Sequence, residues 1–361
     1  IFPLSTPGIY WKALKMLMDS DAPLKVPLTD FWSQIPWFWR FLRTSNENHY
    51  KRATDALSYL CYNSIKDTKE LLEYSKIAEK LEKNGCAFIY DTKLSFNKSI
   101  KSWDERSSRG FSSEVLNAKK IAKITPTINE KFKYAYLSHH WAKVSEPKDI
   151  VKGLAYSAKM KGVTFRQERV TSVCEKLNSI LINFDKGNTA YDAVVIASGI
   201  NSVSLAKSLG DFLPMTAERG YNLTIPLSNI DIDIPIVFAD RGIVATSLES
   251  GLRIGGWAEY AHLSRPANPN YFDSIARISK DLFPGLNIEN ANYWMGSRPS
   301  TPDSVPVISK SLKIDRVFYN CGHGHYGLTH AATSAKLLCS LIEGEQNSNE
   351  IKALSIDRFL N

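Results

Sequence analysis

A short apolar strand, a glycine-rich turn and a long helix follow one another near the C-terminus, and this succession constrains the fold most. The strand is predicted at 316–320, the turn at 321–327 and the helix at 328–342. Apolar residues recur along the helix at three- and four-residue steps, at Leu328, Ala331, Ala335, Leu338 and Ile342. Such a turn leaves backbone N–H groups free at a helix N-terminus, where partial positive charge favours an anion or electron-rich edge. On the glycines alone, a purely geometric turn is an equal alternative.

One arginine precedes this unit. Arg298 lies in the segment W-M-G-S-R-P-S-T-P-D at 294–303, and Pro299 and Pro302 stiffen what we predict to be a loop. A planar, permanently charged guanidinium held near a backbone anion site is suited to bind a carboxylate. The alternative is a surface arginine in a salt bridge. The pattern therefore favours Arg298 as a candidate carboxylate clamp.

A second strand end upstream offers a further ligand position. The run D-A-V-V-I-A-S-G ends a strand predicted at 191–197, which reads as a central parallel strand buried on both faces. It follows a helix predicted at 147–162, whose buried stripe is expected at Ile150, Val151, Leu154, Ala155 and Ala158. Because ligands bind at the carboxyl ends of such strands, Ser198 and Gly199 are candidate contacts. A plain strand end is the alternative.

Size and charge narrow the function classes. The 361 residues suffice for one large or two interleaved domains. A net charge of +8 indicates a mild attraction to anionic ligands or a membrane surface, while the scattered lysines argue against nucleic acid as a partner. The five cysteines form no C-x-x-C pair, which favours a reducing, cytoplasmic compartment. Adjacent His139 and His140 lack ligand spacing, so no metal site is expected.

Taken together, W-x-G-x-R-P-x-T-P-D at 294–303, N-x-G-H-G-x-x-G at 320–327 and the alanine-containing helix resemble the C-terminal signature of the D-amino acid oxidase superfamily. The most similar branch is that of the FAD-dependent D-amino acid dehydrogenases. The resemblance implies an α/β fold, with a Rossmann-like FAD-binding domain and an inserted antiparallel-sheet substrate domain. It assigns 1–135 and 213–292 mainly to the substrate domain, and 136–212 and 293–361 to the FAD-binding domain.

The resemblance also implies roles for individual residues. Arg298 would bind the substrate carboxylate, helped by Tyr221 of the E-R-G-Y segment at 218–221; a half-buried strand tyrosine is the equal alternative. His325 and Tyr326 occupy variable positions of the turn and would line the substrate pocket, although simple turn filling is slightly favoured. The implied FAD contacts are Val170, Ser198, Gly199, Gly322, His323, Gly324, Gly327, Leu328 and Thr329.

The implied reaction is oxidation of the Cα–N bond of a D-amino acid or small imino acid, giving a keto acid and ammonia. The cofactor carries the redox chemistry, and the protein orients the substrate. Electrons would leave to a quinone or another acceptor; a glycine or sarcosine type of oxidase, with oxygen as acceptor, is the near alternative. The third alternative is a non-catalytic remnant that binds no flavin by itself. It is considered because no G-x-G-x-x-G fingerprint occurs near the start of this sequence.

The N-terminal segment is rich in aromatic residues. Helical pieces are predicted at 10–18 and 30–42, and the mixture of aromatic and basic residues at 37–43 permits an interfacial helix. Packing on the core is the favoured interpretation. The resembled dehydrogenases are membrane-associated, so a peripheral location at the inner membrane remains the alternative to a plain cytoplasmic one. Further on, one long amphipathic region is predicted at 49–84, and antiparallel strands at 242–246 and 252–257 with turns at 250–251 and 255–256.

Overall fold

A computed structural model of the chain describes residues 1–9, 24–177, 179–345 and 349–360. In these ranges the helices are α1 (Leu28–Thr44), α2 (Glu47–Tyr74), α3 (Lys93–Ser108), α4 (Ala118–Ile124), α5 (Pro147–Met160), α6 (Ser202–Ser208), α7 (Pro269–Leu282), α8 (Gly327–Ile342) and α9 (Asn349–Leu354). Single turns of 3-10 helix occupy Ala78–Lys80, Gly199–Asn201, Gly324–Tyr326 and Ile356–Phe359. The helix predicted at 10–18 lies outside the described residues.

The strands alternate with these helices along the chain. In order they are β1 (Leu24–Lys25), β2 (Leu81–Glu82), β3 (Cys86–Tyr90), β4 (Ser113–Leu116), β5 (Tyr134–Ser138), β6 (Lys143–Val144), β7 (Val170–Lys176), β8 (Ser179–Phe184), β9 (Gly187–Tyr191), β10 (Val194–Ile196), β11 (Thr216–Ile225), β12 (Ile236–Phe238), β13 (Ile243–Leu248), β14 (Gly251–Tyr260), β15 (Asn292–Ser300), β16 (Val307–Lys310) and β17 (Val317–Cys321). The fold is therefore mixed α/β, as the sequence predicts.

A large, mostly antiparallel sheet forms the frame of the molecule. Its strands lie in the order β15-β11-β14-β13-β12-β3-β5-β4, with β1 pairing in parallel to β14. Helix α7 packs on β11 and β14, and the buried aliphatic and aromatic side chains between them form the main core. This sheet joins 86–138 to 216–300, so its last strand runs past the domain boundary predicted at 292. The four-part domain division itself stays a proposal.

A smaller sheet carries the two strand ends that the sequence singles out. Strand β10 pairs in parallel with β17, and β16 pairs antiparallel with β17 on its other side. The meander β7-β8-β9 packs against it, and their shared core includes Val173, Ile180 and Tyr319. Helix α8 covers β16 and β17 and packs lengthwise on α2. Because β10 and β17 are parallel neighbours, their carboxyl ends lie at one edge of the sheet.

Several local predictions are wrong. The long amphipathic region predicted at 49–84 is not one element: helix α2 ends at Tyr74, and a short 3-10 turn and β2 follow it. Gly255 and Gly256 form no turn but lie inside β14, where the register with β11 shifts. Arg298 lies in a strand rather than a loop, because the segment around it pairs with β11 along its whole length. Pro299 is tolerated there since β15 is an edge strand, whose outer side needs no N–H donor.

Three stretches predicted to be buried are partly or largely exposed. On α8, Leu328, Ala331, Ala335 and Ile342 face outward, and the helix packs instead through the face that carries Ala332, Thr333, Ser334 and Leu338. On α5, Ile150 alone of the predicted stripe is buried, and on β10 Val195 is exposed. The physical reason is that these helices carry apolar residues on more than one face, and the described chain places no element over the outward one.

Helix α1 confirms the helix predicted at 30–42, and it packs on the protein through one face, as the favoured interpretation expects. Gln34 and Trp37 are buried and Phe38 and Phe41 are half-buried. The exposed large apolar side chains of α1 are Leu28, Phe31, Trp32, Ile35, Trp39 and Leu42. The interpretation of the aromatic residues as core is therefore confirmed for Trp37 and wrong for Phe31, Trp32 and Trp39. Among the described helices, none combines the length and apolarity needed to cross a bilayer.

Candidate functional site

Two turns of the small sheet meet one strand of the large sheet. The 3-10 turn Gly199–Asn201 follows β10, the turn Gly324–Tyr326 follows β17, and both pack against β15. A bridge between Ser300 and His323 joins β15 to the second turn directly. Arg298, two residues before Ser300, therefore stands where the two sheets meet. The structure brings the arginine and the glycine turn together, as the sequence predicts.

The N-terminus of α8 at this junction is open. In the described chain no side chain caps it, and its first turn contains no acidic residue. Gly327, Leu328 and Thr329 are exposed. The preceding Gly322 has φ of +77°, and a Cβ there would come within 2.8 Å of Thr301, so glycine is required for the turn to close. The free N–H groups can stabilise an electron-rich edge.

Arg298 is held by a buried carboxylate on the neighbouring strand. Its Nη1 donates to Oε1 of Glu218 at 2.9 Å, across the register that sets the two residues opposite each other on β15 and β11. The Glu218 side chain is 4% exposed, whereas that of Arg298 is 29% exposed. The pair therefore has a buried end, which anchors it, and a partly open guanidinium, which can receive a ligand.

The second oxygen of Glu218 is also bound. Ser300 Oγ donates to Oε2 at 2.8 Å, and the Tyr260 hydroxyl donates to it at 3.4 Å. Burial alone would raise the pKa of Glu218, but the Arg298 guanidinium, His325 and the Ser300 hydroxyl outweigh burial and hold that pKa below its ordinary value. Burial and the Glu218 charge raise the pKa of Tyr260 well above its usual range. Glu218 is therefore an anion that orients Arg298.

A glycine makes room for the guanidinium. A Cβ on Gly220, which lies on the same face of β11 as Glu218, would come within 2.3 Å of Arg298 Nη2 and 2.4 Å of its Cζ. The guanidinium thus lies flat on the strand backbone. Beside it the Trp294 ring lies over Gly296 in the same way. Arg298 and Trp294 thus lie side by side over the two glycines. Together they form a surface that can bind a small ligand with a carboxylate and an apolar edge.

Tyr221 is not part of this group. It is fully buried on the opposite face of β11, where its hydroxyl donates to Glu259 Oε2 at 2.7 Å and accepts from the Asn268 N–H at 3.2 Å. Burial and the Glu259 carboxylate raise the pKa of Tyr221 to about 12. Its ring packs on Tyr271 and Phe272. The expected placement of Tyr221 beside Arg298 is therefore wrong. Arg298 lies opposite Glu218, and Tyr221, three residues after Glu218 on the same strand, points to the other face of the sheet.

Two histidines pack at the glycine turn, of which His323 is half-buried and His330 is fully buried. His323 Nε2 pairs with Ser334 Oγ at 2.9 Å, and burial lowers the pKa of His323 to about 4. His330 is fully buried, its Nε2 lies 3.3 Å from Cys61 Sγ, and burial lowers its pKa to about 3. Both rings are therefore neutral near pH 7. They shape the turn from behind without adding charge to it.

His325 and Tyr326 lie on the front of the turn. Their rings are 4.2 Å apart between centroids, and Tyr326 stacks on His330 at 5.0 Å. Together with Tyr260, Ser300 and His323 they line a small cavity beside β15. His325 is exposed and Tyr326 is half-buried. Their position supports the pocket role predicted for them, which stays a proposal.

The remaining predicted contacts lie near β10. Ser198 and Gly199 follow the strand, and Ser198 Oγ pairs with Ser202 Oγ at 3.1 Å. Gly199 has φ of +58° and open space where a Cβ would stand. Val170, at the start of β7, packs partly buried against the core of the small sheet. The structure thus groups Ser198 and Gly199 with the junction, while Val170 lies on its flank.

The residues present fit one edge of a flavin cofactor. The uncapped α8 N-terminus offers N–H donors, and the backbone at Gly199 is open to close approach. No cluster of metal-ligating side chains occurs in the part of the chain that the structure describes. Arg298 faces the same junction from the large sheet.

Sequence reasoning missed four members of the site. Glu218, Tyr260, Ser300 and Trp294 complete the surroundings of Arg298. The E-R-G-Y segment was the available signal, because strand alternation separates Glu218 and Gly220 from Arg219 and Tyr221. Choosing between the two faces required knowing which one the core covers.

The comparisons with known proteins agree with this arrangement. The family model described as FAD dependent oxidoreductase (DAO) matches residues 34–341. A D-amino-acid oxidase of Bradyrhizobium diazoefficiens is 27% identical over 372 aligned residues, which cover 100% of this chain and 87% of the relative. The chain also superimposes on the crystal structure of glycine oxidase from Geobacillus kaustophilus, with a TM-score of 0.72, 19% identity and coverage of 90% of this chain and 83% of that one.

The L-proline dehydrogenase from P. horikoshii gives a TM-score of 0.74 at 16% identity, with 83% of this chain and 82% of that chain covered. Both structural likenesses are below 25% identity and speak for the fold. The family match extends over most of the sequence and includes the junction around Arg298 and the glycine turn. FAD is therefore the cofactor of this chain, which belongs to the family of DAO-type FAD-dependent oxidoreductases.

Proposed function

We propose that this enzyme oxidises the Cα–N bond of a D-amino acid or a small imino acid. The observation that carries the proposal is the Arg298 guanidinium, which is anchored by buried Glu218 and partly open at the junction with the glycine turn. A substrate of this class presents a carboxylate, for which a fixed guanidinium is the matching partner. The D-amino-acid oxidase relative supports the same substrate class.

The side chains of the site bind and orient rather than exchange protons. Arg298 receives the substrate carboxylate through the part of its guanidinium that Glu218 leaves open. FAD, when bound, would supply the two-electron oxidation, and water would then hydrolyse the imine of a primary amino acid to a keto acid and ammonia. The uncapped N–H groups of α8 stabilise negative charge at the junction. His323 stays neutral, so it neither competes with Arg298 for the carboxylate nor adds to that stabilisation.

The charge balance favours a zwitterionic or neutral ligand. Glu218 compensates the charge of Arg298, so the pair is neutral before a ligand binds. A second carboxylate on the substrate would have no cationic partner of its own, because no arginine or lysine is among the described residues that line the small cavity. We therefore propose small monocarboxylic substrates, with His325, Tyr326 and Trp294 limiting the size of the side chain.

The acceptor distinguishes the two enzyme variants. A dehydrogenase would pass electrons to a quinone or another carrier, whereas a glycine or sarcosine type of oxidase would use oxygen. The structural likeness to glycine oxidase is a likeness of fold, and it is the reason that we keep the oxidase as the second variant. The quinone acceptor, the dehydrogenase activity and the cytoplasmic placement stay proposals. Comparing oxygen with a quinone analogue as acceptor separates the variants.

The test is a substrate panel with both acceptors. We expect turnover of small D-amino acids, glycine, sarcosine or D-proline, with equal yields of oxidised product and reduced acceptor. Arg298→Ala should raise KM by about 10- to 100-fold, because a charge-assisted contact is worth about 1.5–3 kcal/mol. Arg298→Lys should recover part of the loss, since lysine keeps the charge but not the planar fork.

Arg253→Ala is the matched control. Arg253 lies on β14, and its Nε donates to Thr224 Oγ1 rather than to Glu218. Removing it deletes the same side chain from another strand of the same sheet, with β11 between the two. The proposal is wrong if Arg298→Ala and Arg253→Ala change KM equally, or if the FAD-loaded enzyme turns over no amine in the panel with either acceptor.

A further inference from the structure

A second cavity, lined by basic residues, lies beside helix α1. It encloses about 750 Å³, a volume that is typical of small-molecule sites. Four parts of the chain form its walls: the C-terminal half of α1, the start of α2, the loop after β15 and the C-terminal segment. We call it the basic cavity. The charged side chains that line it are Arg40, Arg43, Arg52, Asp303, Lys352 and Arg358.

The basic cavity and the small cavity beside β15 share two walls but no residue. On α1, Trp37 lines the small cavity, whereas Trp39 and Arg43 line the basic one. In the loop after β15, Thr301 lines the small cavity and Asp303 lines the basic one. The basic cavity is therefore a separate site, one helix and one loop away from the proposed substrate site.

A buried ion pair fixes one wall of the basic cavity. Arg358 Nε donates to Asp303 Oδ2 at 2.8 Å, and Arg358 Nη2 donates to the Val305 carbonyl at 2.6 Å. The Val305 N–H donates in turn to Asp303 Oδ1 at 3.1 Å. These contacts join the loop after β15 to the C-terminal segment. The cavity is therefore part of the folded structure, and Asp303 is occupied with Arg358.

The other cations of the cavity have no carboxylate to balance them. Arg43, Arg52 and Lys352 have no acidic partner in the part of the chain that the structure describes. The five cations and the one carboxylate that line the cavity leave a formal charge of +4. Burial and then the charge of Arg52 lower the pKa of His49, so this histidine adds no positive charge near pH 7.

Each of these cations could be a solvated surface residue on its own, and Arg43 also lies in the last turn of α1, where a cation favours the helix dipole. Their convergence is what distinguishes them. Arg43 comes from α1, Arg52 from α2 and Lys352 from α9, and all three line one cavity. Like charges held together repel one another, and a bound anion removes that repulsion.

We propose that the basic cavity binds a soluble nucleoside diphosphate, with its phosphates at Arg43, Arg52 and Lys352 and its base on the ring of Trp39. A diphosphate brings several negative charges, and the planar forks of two arginines match its oxygens in pairs. A monocarboxylate would balance one positive charge and leave the rest. Trp39 lines the cavity and is 62% exposed, so its ring can stack on a base.

The test is isothermal titration calorimetry on the full chain loaded with FAD. GDP is the probe, because ADP is part of FAD and could enter the cofactor site. Pyrophosphate and guanosine are titrated separately, since each carries one half of the proposed contacts. We expect GDP to bind about tenfold more tightly than pyrophosphate, owing to the stacked base, and guanosine to bind more weakly than either. The flavin absorbance should show that FAD stays bound.

Two variants separate the phosphate contacts from the base contact. Arg43→Gln with Arg52→Gln should weaken both GDP and pyrophosphate by about 100-fold, because each lost charge-assisted hydrogen bond costs about tenfold. Trp39→Leu should weaken GDP by about tenfold and leave pyrophosphate unchanged, because only the base uses the ring.

The matched controls keep the same kinds of change outside the cavity. Lys119→Gln with Lys123→Gln removes two positive charges from exposed positions of α4. Trp32→Leu removes an exposed tryptophan from α1 at a position that does not line the cavity. Both should bind GDP within about twofold of the wild type at 0.15 M salt, where charges more than about 8 Å apart are screened.

Circular dichroism and thermal unfolding verify that each variant folds. The proposal is overturned if the wild type binds neither GDP nor pyrophosphate, if the double arginine variant binds them as the wild type does, or if GDP releases FAD. Equal GDP affinity in Trp32→Leu and Trp39→Leu, or GDP binding no tighter than pyrophosphate, would overturn the nucleoside part of the proposal. None of these measurements involves turnover, so the result is independent of the proposed substrate.

Discussion

At the scale of single residues, the site depends on how Arg298 divides its hydrogen-bonding groups. One nitrogen binds Glu218, which is itself held by Ser300 and Tyr260, so the guanidinium is fixed before a ligand arrives. Pre-arranged donors bind a carboxylate without the entropy cost of ordering a long side chain. Gly220 is the second requirement, since the guanidinium lies where any larger residue would place its Cβ.

Gly220→Ala should therefore impair substrate binding as a substitution of Arg298 does, although Arg298 itself is unchanged. The new methyl group would stand 2.3 Å from Nη2, and the guanidinium must move. We expect kcat/KM to fall by about 10- to 100-fold, because a displacement of about 1 Å from the productive geometry has effects of that size. Steady-state kinetics with the best substrate of the panel measures the effect.

The control is the same change in an Arg298→Ala background. When Arg298 is absent, the new methyl group has no guanidinium to displace. Gly220→Ala should then change kcat/KM by less than about twofold. If the losses instead add in the double variant, Gly220 acts on the strand itself, and its proposed role in placing Arg298 is wrong.

Tyr221→Phe tests the corrected assignment of that tyrosine. The change removes the hydroxyl that binds Glu259 and the Asn268 N–H in the core. We expect the free energy of unfolding to fall by about 1–3 kcal/mol, because a buried carboxylate loses a donor. KM should stay within about twofold of the wild type, since the ring faces away from Arg298. Urea unfolding measures the first effect and kinetics the second; a large rise in KM with unchanged stability would return Tyr221 to the site.

At the scale of elements, the α8 N-terminus has a function that conflicts with its own stability. An acidic residue in the first turn would stabilise the helix, yet the described chain has none there. The open donors are then available to the cofactor. The strand, turn and helix at this point were predictable because their period and glycine content are local features of the sequence. The direction in which α8 packs was not, since both of its faces are apolar or small.

Thr329→Asp should separate the two effects. Thr329 is exposed in the first turn of α8. An aspartate there should stabilise the helix by about 0.5 kcal/mol, through its interaction with the helix dipole. The same charge should weaken FAD binding by about tenfold, because it opposes negative charge at the same N–H groups. Thermal unfolding of the FAD-free chain and titration of flavin fluorescence measure the two effects.

Thr329→Asn is the neutral control, with a side chain of the same shape. It should leave the FAD dissociation constant within about twofold of the wild type, because it adds no charge. Equal weakening by both variants would mean that shape, and not charge, matters at this position.

At the scale of the whole molecule, the site lies at the seam between two sheets. Arg298 comes from the large sheet and the glycine turn from the small one. Sequence motifs located both parts, because each has a local signature. Glu218 and Tyr260 could not be located in the same way, since they meet Arg298 through the register of β11 with β15 and β14. Register across strands distant in sequence is a tertiary property, and no local pattern encodes it.

The buried histidines predict how the whole fold responds to acid. Burial lowers the pKa of His330 to about 3 from an ordinary value of 6.5. The unfolded chain therefore binds the proton more tightly, and the stability due to neutral His330 is complete above about pH 6.5 and falls as the pH drops toward 3. At pH 5 the loss should be about 2 kcal/mol from this residue alone.

Urea unfolding at pH 7 and pH 5 measures that loss. In His330→Gln the amide can replace the Nε2 contact with Cys61 but does not titrate. The variant should therefore lose about 2 kcal/mol less than the wild type between the two pH values. An unchanged difference between pH 7 and pH 5 would exclude His330 as a source of the acid sensitivity.

The most direct test of the proposed site is anaerobic reduction of the FAD-loaded enzyme, followed by flavin absorbance as the amino acid concentration is raised. We expect a small D-amino acid or imino acid to bleach the flavin. The half-saturating concentration should be about 10- to 100-fold higher in Arg298→Ala, because the carboxylate then loses its charged partner. Bleaching with the same half-saturation in both proteins, or no bleaching of loaded wild type by any member of the panel, would contradict the account.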